Sequence, residues 1–394
     1  MPYVYLLLAI LGFCFYYYNH RDVFNPCLIF FVIWFLTASF SSVDYDDFME
    51  PWSPLMHLVV TISGISFWLG SLGFLKKTKV NLHAKQELPR EFSFVTYALF
   101  TICFSAFIIE WLNAGGGLAV KSSGVDGDIA GLHYGTIFLP FVAVILYFKV
   151  LNAQKAKTID WLLIILIIVS SLVLKLSRGD MMIYILSFLF LYSRYKKISF
   201  KVVLLGLIIF AAVSIGVMFV RDPSGESVVF TSTSNPYVSV FYSYIATCFA
   251  NLNDYIRMDN SSHLLGNATF ASLWTILGIR NNMDANWVTQ LDDMFNASVY
   301  IYAFYHDFKL FGVILFPFLI GLGLSKLYYN SIHKSVLWLL LLSVLQKAIF
   351  VPFFGNYFFA ELVILYPYLL TYAVIFSQFA IKDIRYLIKL KNNI

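Results

Sequence analysis

The chain has 394 residues, of which 60% are hydrophobic, 19% are aromatic and only 12% are charged. This composition excludes an ordinary soluble globular protein, because apolar windows of about 20 residues, long enough to cross a bilayer, recur along almost the whole chain. The formal net charge of +5 indicates basic cytoplasmic loops and gives no reason to expect a nucleic-acid partner. The sequence therefore predicts an all-α polytopic membrane protein, with residues 1–394 forming a single membrane domain.

Eleven apolar windows are predicted to be transmembrane helices. In chain order they cover residues 2–18, 24–42, 53–75, 92–112, 136–151, 158–175, 181–193, 201–220, 309–328, 335–352 and 357–380. The first window lacks the basic segment and the small-residue cleavage site of a secretory signal, so it is expected to remain as a span. An N-terminus on the outer side of the membrane places most of the 27 Lys and Arg residues in inner loops or in the C-terminal tail, as the positive-inside rule requires. The predicted C-terminus is therefore cytoplasmic.

The connection over residues 221–296 is the longest of the predicted outer loops. Long loops in compact proteins are usually functional, so this segment is expected to form a subdomain on the outer side. Apolar residues recur in it at helical spacing, at Phe241, Ile245, Cys248, Phe249, Leu252, Tyr255 and Ile256. This pattern predicts an amphipathic helix lying on the outer membrane surface.

Basic residues at the outer ends of predicted spans define a first candidate site. Arg178 follows Ser177 in a short hairpin, and Arg221 lies where the eighth predicted span ends. A guanidinium group donates two hydrogen bonds in one plane and stays charged, which suits a diphosphate ligand. The alternatives are that these side chains anchor the spans at the membrane interface, or that Arg178 pairs with Asp180.

The long loop and the segment after it hold further polar groups, which are Arg257, His263, Arg280, His306 and Asp307. Of these, His263, His306 and Asp307 are the groups that can transfer protons near neutral pH. In the alternative interpretation, Asp307 neutralises Lys309. The four cysteines form no Cys-x-x-Cys motif, and the sequence has no P-loop and no His-Glu-x-x-His motif, so neither a metal ion nor another cofactor is expected.

Four sequence features together resemble a known family. They are Phe24-Asn25-Pro26 at the start of a span, Ser177-Arg178-Gly179 in a hairpin, Arg221 before one long outer loop, and Phe304-Tyr305-His306-Asp307-Phe308 leading into Gly312 and Gly321. In this arrangement the chain resembles, over nearly its whole length, the Wzy-type polymerases of O-antigen and capsular oligosaccharide repeat units. Lys309 departs from the pattern, because many members of that family have glycine after the Asp-Phe pair.

The resemblance implies a membrane-embedded glycosyltransferase of the GT-C type in the bacterial inner (cytoplasmic) membrane. Such an enzyme is metal-independent and inverting, and it moves a growing glycan from undecaprenyl diphosphate onto a new lipid-linked repeat unit. The partners that it implies are the lipid-linked oligosaccharide, a flippase and a chain-length regulator.

The resemblance also assigns roles to individual residues. Arg178, Arg221 and Arg280 would bind the diphosphate, and His306 or Asp307 would assist the acceptor hydroxyl as the catalytic group. The candidates for further contacts to the acceptor or the loop are Ser177, Arg257 and His263.

Other functions remain as alternatives at this level. An O-antigen ligase shares the outer arginines and the fold type but transfers a finished glycan to a different acceptor. A lipid-linked oligosaccharide flippase or another transporter belongs to a different class and predicts an internal repeat with charged residues near the bilayer midplane. A sensor or a structural protein would leave the outer arginines without a role.

Overall fold

The computed structural model describes residues 1–43, 49–74, 88, 90–116, 129, 131–174, 178–196, 198, 201, 236–258, 266–271, 274, 297–333 and 336–358. These residues form helices and turns, with no strand among them. In chain order the helices are α1 (Pro2–His20), α2 (Pro26–Ser41), α3 (Pro54–Ser71), α4 (Arg90–Asn113), α5 (His133–Asn152), α6 (Thr158–Val169), α7 (Arg178–Tyr195), α8 (Pro236–Arg257), α9 (Tyr302–His333), α10 (Val336–Val344) and α11 (Gln346–Phe350). A 3₁₀ turn, Leu72–Phe74, extends α3, and a π-helical turn, Ser170–Leu174, extends α6.

Nine of the predicted spans coincide with helices in the part of the chain that the structure describes. The other two, 201–220 and 357–380, lie almost entirely outside the described residues. By length and composition, α1, α3, α4, α5 and α9 can each cross a membrane, whereas α2 and α6 are apolar but shorter. The described helices therefore fit an all-α membrane protein, and the total of eleven spans stays a prediction.

The first three helices each begin with proline in the first turn, where a missing backbone N–H costs nothing. Asn25 caps α2, because its side-chain oxygen accepts a hydrogen bond from the backbone N–H of Cys27 at 2.9 Å. Ser53 caps α3 in the same way through the N–H of Met56 at 3.2 Å. The Phe24-Asn25-Pro26 motif is thus a helix start in this protein.

The outward faces of several helices are apolar. Large hydrophobic side chains are exposed along α1, α6 and α9, among them Leu7, Leu11, Leu162, Ile165, Phe311 and Ile314. In water such surfaces would promote association, whereas in a bilayer they are the expected lipid-facing surface.

The chain divides into two compact units. In the described residues, the first unit contains α1, α2, α3, α8 and α9 together with 347–358, and the second contains α4 to α7 and α10. In the second unit, Lys149 of α5 and Asp160 of α6 form a buried ion pair at 2.8 Å, and the hydroxyl of Tyr97 on α4 donates to the same carboxylate at 2.7 Å. This cluster ties three helices together.

In the first unit, α3 and α9 pack closely against each other. A methyl group at Gly70 would collide with the carbonyl oxygen of Phe318, and one at Gly321 would collide with the carbonyl oxygen of Phe67. Small residues allow two helix backbones to touch in this way in membranes. Gly321, one of the glycines in the resemblance, therefore serves the contact between these two helices.

Candidate functional site

The helix predicted in the long loop is confirmed as α8, Pro236–Arg257. Its apolar residues Phe249, Leu252 and Tyr255 are buried as the spacing predicts, but its polar residues Asn251 and Asn253 are buried as well. A helix lying on a membrane surface keeps its polar face in water. The described residues of α8 from Ile245 to Asn253 are therefore buried within the protein, and the predicted position of the helix at the membrane surface stays a prediction.

Asn251 and Asn253 explain how α8 is held. The side-chain amide of Asn251 donates to the carbonyl oxygen of Ala297 at 2.6 Å. The side-chain oxygen of Asn253 accepts from the backbone N–H of Ser53 at 2.9 Å, and its amide donates to the carbonyl oxygen of Pro51 at 3.3 Å. Buried amides that are hydrogen-bonded in this way hold α8 against the start of α3 and against the segment before α9.

Arg257, a predicted contact to the acceptor or loop, is engaged within the protein. Its guanidinium pairs with the carboxylate of Glu50 and donates to the carbonyl oxygen of Pro51 at 3.1 Å. Burial raises the pKa of the neighbouring Asp254, an effect that Arg257 opposes and Glu50 reinforces. Arg257 therefore fastens α8 to the loop before α3.

His306 and Asp307 lie in the first turns of α9, and both are buried. Asp307 accepts three hydrogen bonds. The backbone N–H groups of Ala268 and Thr269 donate to its two carboxylate oxygens at 3.3 and 2.6 Å, and Nδ1 of His306 lies 2.9 Å from Oδ1. The carboxylate of Asp307 therefore holds a turn and an imidazole, and the alternative that it neutralises Lys309 stays a prediction.

The turn that binds Asp307 has its own local cause. Gly266 adopts a positive φ of 90°, which glycine tolerates without strain. Its carbonyl oxygen accepts from the backbone N–H of Phe270 at 2.9 Å and from the indole N–H of Trp274 at 3.0 Å. The turn thereby presents two consecutive amides, those of Ala268 and Thr269, to one carboxylate.

Aromatic rings surround His306. Its ring centroid lies 5.2 Å from that of Tyr255 on α8 and 6.3 Å from that of Tyr302. Burial raises the pKa of Tyr255 to about 12, with smaller contributions from Tyr305 and Asp307. The hydroxyl oxygen of Tyr255 is buried and has no hydrogen-bond partner within the described part of the chain. The site therefore holds an imidazole oriented by a carboxylate and a phenol that keeps its proton.

Lys309 follows the pair and marks a sharp kink in α9. Its backbone has φ 51° and ψ −138°, a conformation that costs a side-chain-bearing residue roughly 1–3 kcal/mol. In a straight helix, Phe304 and Gly312 would lie about 12 Å apart along the axis. Here a methyl group at Gly312 would collide with the carbonyl oxygen of Phe304, so the kink brings these two residues together. Lys309 thus stands where many members of the resembled family have glycine, and its backbone has the conformation that glycine favours.

The ammonium group of Lys309 lies over two aromatic rings of the same site. Its Nζ is 5.0 Å from the ring centroid of Tyr255 and 5.3 Å from that of Tyr305. A cation within about 6 Å of a ring centroid is attracted to the face of that ring. The positive charge is therefore held against the rings of Tyr255 and Tyr305.

The remaining predicted site residues contribute no described side chain. Ser177, Arg221, His263 and Arg280 lie outside the described residues, and Arg178 begins α7 with a side chain that is also outside them. Their predicted roles at a diphosphate stay predictions. Among the described residues, no group of three or more His, Cys, Asp or Glu side chains could hold a metal ion.

Several residues of the site were not predicted. The spacing of apolar residues predicts Tyr255 only as part of the apolar face of a helix, and no sequence pattern predicts a role for Thr269 or Asn253. The one signal in the sequence was the pair of asparagines 251 and 253, which lie among the apolar residues of this helix.

No protein-family model matches the sequence, and neither a curated protein nor a solved structure shows significant similarity to the chain.

Proposed function

We propose that this protein is a bacterial inner-membrane polymerase of undecaprenyl-diphosphate-linked oligosaccharide repeat units, acting at the outer face of the membrane on O-antigen or capsular polysaccharide. The observation that carries the proposal is the buried His306–Asp307 pair, which lies at the start of a long membrane helix and is fixed by the amides of Ala268 and Thr269. The resemblance of the sequence to Wzy-type polymerases supplies the substrate class.

In such a reaction the enzyme needs mainly to transfer a proton and to stabilise charge. The sugar is already activated by its bond to diphosphate, so the acceptor hydroxyl needs a base and the departing diphosphate needs cations. In the proposed reaction, the hydroxyl oxygen forms a bond to the anomeric carbon as the bond from that carbon to the diphosphate breaks. The hydroxyl proton passes to His306, and the bond electrons leave with the diphosphate.

Of the two candidate catalytic groups, the geometry favours His306 as the proton acceptor. The carboxylate of Asp307 accepts two backbone N–H groups and interacts with Nδ1 of His306. A carboxylate bound in this way orients an imidazole through the ring nitrogen that faces it. Proton transfer would therefore use Nε2 of His306, with Asp307 as the positioning residue. Arg178, Arg221 and Arg280 are the proposed diphosphate contacts.

Deletion of the gene in the native host tests the proposal. The expected result is a single repeat unit on the mature acceptor with loss of the long glycan ladder. Long chains that persist on the carrier lipid while the acceptor stays bare would identify a ligase instead. An unchanged ladder, or repeat units that remain on the cytoplasmic leaflet, would overturn the proposal, and the second result would favour a flippase.

Reconstitution tests the chemistry directly. Purified protein in liposomes with the lipid-linked repeat unit should form polymer in the presence of EDTA. The variant His306→Asn should lose about 100- to 10,000-fold in rate, which is the usual contribution of a general base. His333→Asn is the matched control, because His333 is exposed at the far end of the same helix. Equal rates for wild type and His306→Asn would remove His306 from the mechanism.

A further inference from the structure

The exposed side of α1 carries a groove close to the C-terminal end of the helix. The buried side of α1 consists of residues spaced three or four apart, which are Tyr5, Ala9, Gly12, Tyr16 and His20. The groove lies on other positions of the helix, has a volume of about 430 Å³ and is lined by Phe13, Cys14, Tyr17, Tyr18 and Arg21. All five lining residues are exposed, so the groove is open to whatever surrounds the protein.

The groove runs from the depth of the acyl chains to the depth of the lipid headgroups when α1 crosses a bilayer. The helix has 19 residues, so its length of about 28 Å matches the hydrocarbon core. Arg21 follows the last helical residue and lies at the level of the headgroups. Phe13, at the other end of the groove, lies about 12 Å deeper. The phosphate and the acyl chains of one phospholipid occupy these two depths.

Arg21 places a positive charge at the headgroup end of the groove. The residue is exposed and has no ion pair within the described part of the chain. The neighbouring carboxylate of Asp22 accepts hydrogen bonds from the hydroxyl of Tyr328 at 2.5 Å and from the backbone N–H of Phe24 at 3.0 Å. A guanidinium donates two hydrogen bonds to a phosphate group and stays charged. This end of the groove therefore complements a lipid phosphate.

The aromatic walls of the groove suit the remainder of a phospholipid. The rings of Phe13 and Tyr17 are stacked, with centroids 5.7 Å apart, and the two residues are 40% and 43% exposed. They give an acyl chain an apolar surface to lie on. Tyr17 and Tyr18 lie one helical turn before Arg21, and tyrosine is enriched where acyl chains meet headgroups.

From these observations we propose that the groove on α1 binds one anionic phospholipid, with the phosphate at Arg21 and an acyl chain along Phe13 and Cys14. The ligand is a phospholipid whose headgroup has no positive charge of its own, such as phosphatidylglycerol, because Arg21 then supplies the only cation for the phosphate. The proposal does not depend on the proposed function, since it concerns a lipid of the surrounding membrane.

The experiment measures the binding of single lipid molecules to purified full-length protein in detergent, by native mass spectrometry. Phosphatidylglycerol should bind about fivefold or more tightly than phosphatidylcholine of the same chain length, which is the usual contribution of one basic residue near anionic lipid. Arg21→Gly should remove this preference. The left-handed backbone of Arg21, with φ 49° and ψ 36°, is favourable for glycine, so this variant should remain folded.

Lys155→Gln is the matched control. Lys155 is also exposed and lies in a predicted inner loop, but it does not line the groove. This variant should keep the wild-type preference for phosphatidylglycerol. An equal loss of preference in Arg21→Gly and Lys155→Gln would indicate a general attraction of basic loops to anionic lipid and would overturn the proposal. Equal affinity of the wild type for the two lipids would overturn it as well.

Cys14 allows the lipid to be located in the groove. It is exposed, whereas Cys27, Cys103 and Cys248 are buried, so a maleimide should modify Cys14 first. Phosphatidylglycerol should slow this modification in the wild type but not in Arg21→Gly. If modification is as fast with saturating phosphatidylglycerol as without it, the lipid binds elsewhere and the proposal is wrong. These measurements do not involve polymer formation, so failure of the polymerase proposal would leave the lipid site intact.

Discussion

The backbone N–H of Thr269 donates a 2.6 Å hydrogen bond to Oδ2 of Asp307, across 38 residues of sequence. The other carboxylate oxygen accepts from Ala268 and lies against His306. One carboxylate therefore fixes both a turn of the long loop and the orientation of an imidazole. The loop and the start of α9 are held in one arrangement by this contact.

Substitution of Asp307 by Asn should impair activity more than folding. An amide accepts through one oxygen only, so one of the two backbone donors loses its partner, at a cost of about 1–3 kcal/mol. The imidazole also loses its charged partner, so polymer formation in liposomes should fall at least tenfold. Thr269→Val is the matched control, because it removes the hydroxyl bond to Ala303 and keeps the backbone N–H. Equal activity of Asp307→Asn and Thr269→Val would contradict the positioning role.

The contacts between α8 and the loop before α3 should differ in strength. Asn253 is fully buried and makes its hydrogen bonds out of water, so Asn253→Ala should destabilise the protein by about 1–3 kcal/mol. Arg257→Ala breaks a pair whose side chains are 39% and 63% exposed, and such pairs contribute about 1 kcal/mol or less. Thermal unfolding in detergent measures both variants. A larger loss for Arg257→Ala than for Asn253→Ala would refute this order.

Asp254 should make the stability of the first unit depend on pH. Burial raises its pKa above the usual value of 3.8, so the folded state favours the protonated acid. Below pH 3.8 the group is protonated in both states, and the folded state loses relative stability as the pH rises through the raised pKa. Asp254→Asn should therefore be more stable than wild type at pH 7, and the difference should shrink on acidification. If the difference in unfolding free energy between Asp254→Asn and wild type stays the same from pH 7 to pH 4, the assignment is contradicted.

The glycines of α3 and α9 allow a test of close helix packing. Gly70→Ala places a methyl group against the carbonyl oxygen of Phe318, which should cost about 1–3 kcal/mol through overpacking. Gly323→Ala is the control, because a methyl group there meets no atom within 4 Å. Since alanine is the better helix former, this control should stabilise the protein by about 0.5–1 kcal/mol. Equal unfolding temperatures for the two variants would show that the helices can separate at no cost.

The helices could be predicted from the sequence more fully than the residues that they contact elsewhere in the chain. Apolar windows and the Asn25-Pro26 start predict α2 because capping and hydrophobic length are local properties. The spacing of Phe249, Leu252 and Tyr255 predicts α8 for the same reason. That Asn253 is buried could not be predicted, since its partners at residues 51 and 53 lie 200 residues away in the chain.

The candidate site could be predicted only in part. The residue types and positions of His306 and Asp307 indicate them as candidates. The hydrogen bonds of Asp307 to Ala268 and Thr269 depend on a turn that no local sequence pattern predicts. Lys309 was noted because it replaces an expected glycine. Its left-handed backbone is a property of the folded kink, which the amino-acid sequence of a single helix does not reveal.

The backbone contacts of α3 with α9 also restrict how the protein can move. Gly70 meets Phe318 and Gly321 meets Phe67, so the two helices touch at two places along their length. A slide of one helical turn, about 5.4 Å, in one direction would bring Ser66 or Phe67 to the place of Gly70, where a side chain would collide with the carbonyl oxygen of Phe318. We therefore expect α3 and the part of α9 around Gly321 to move together rather than slide past each other.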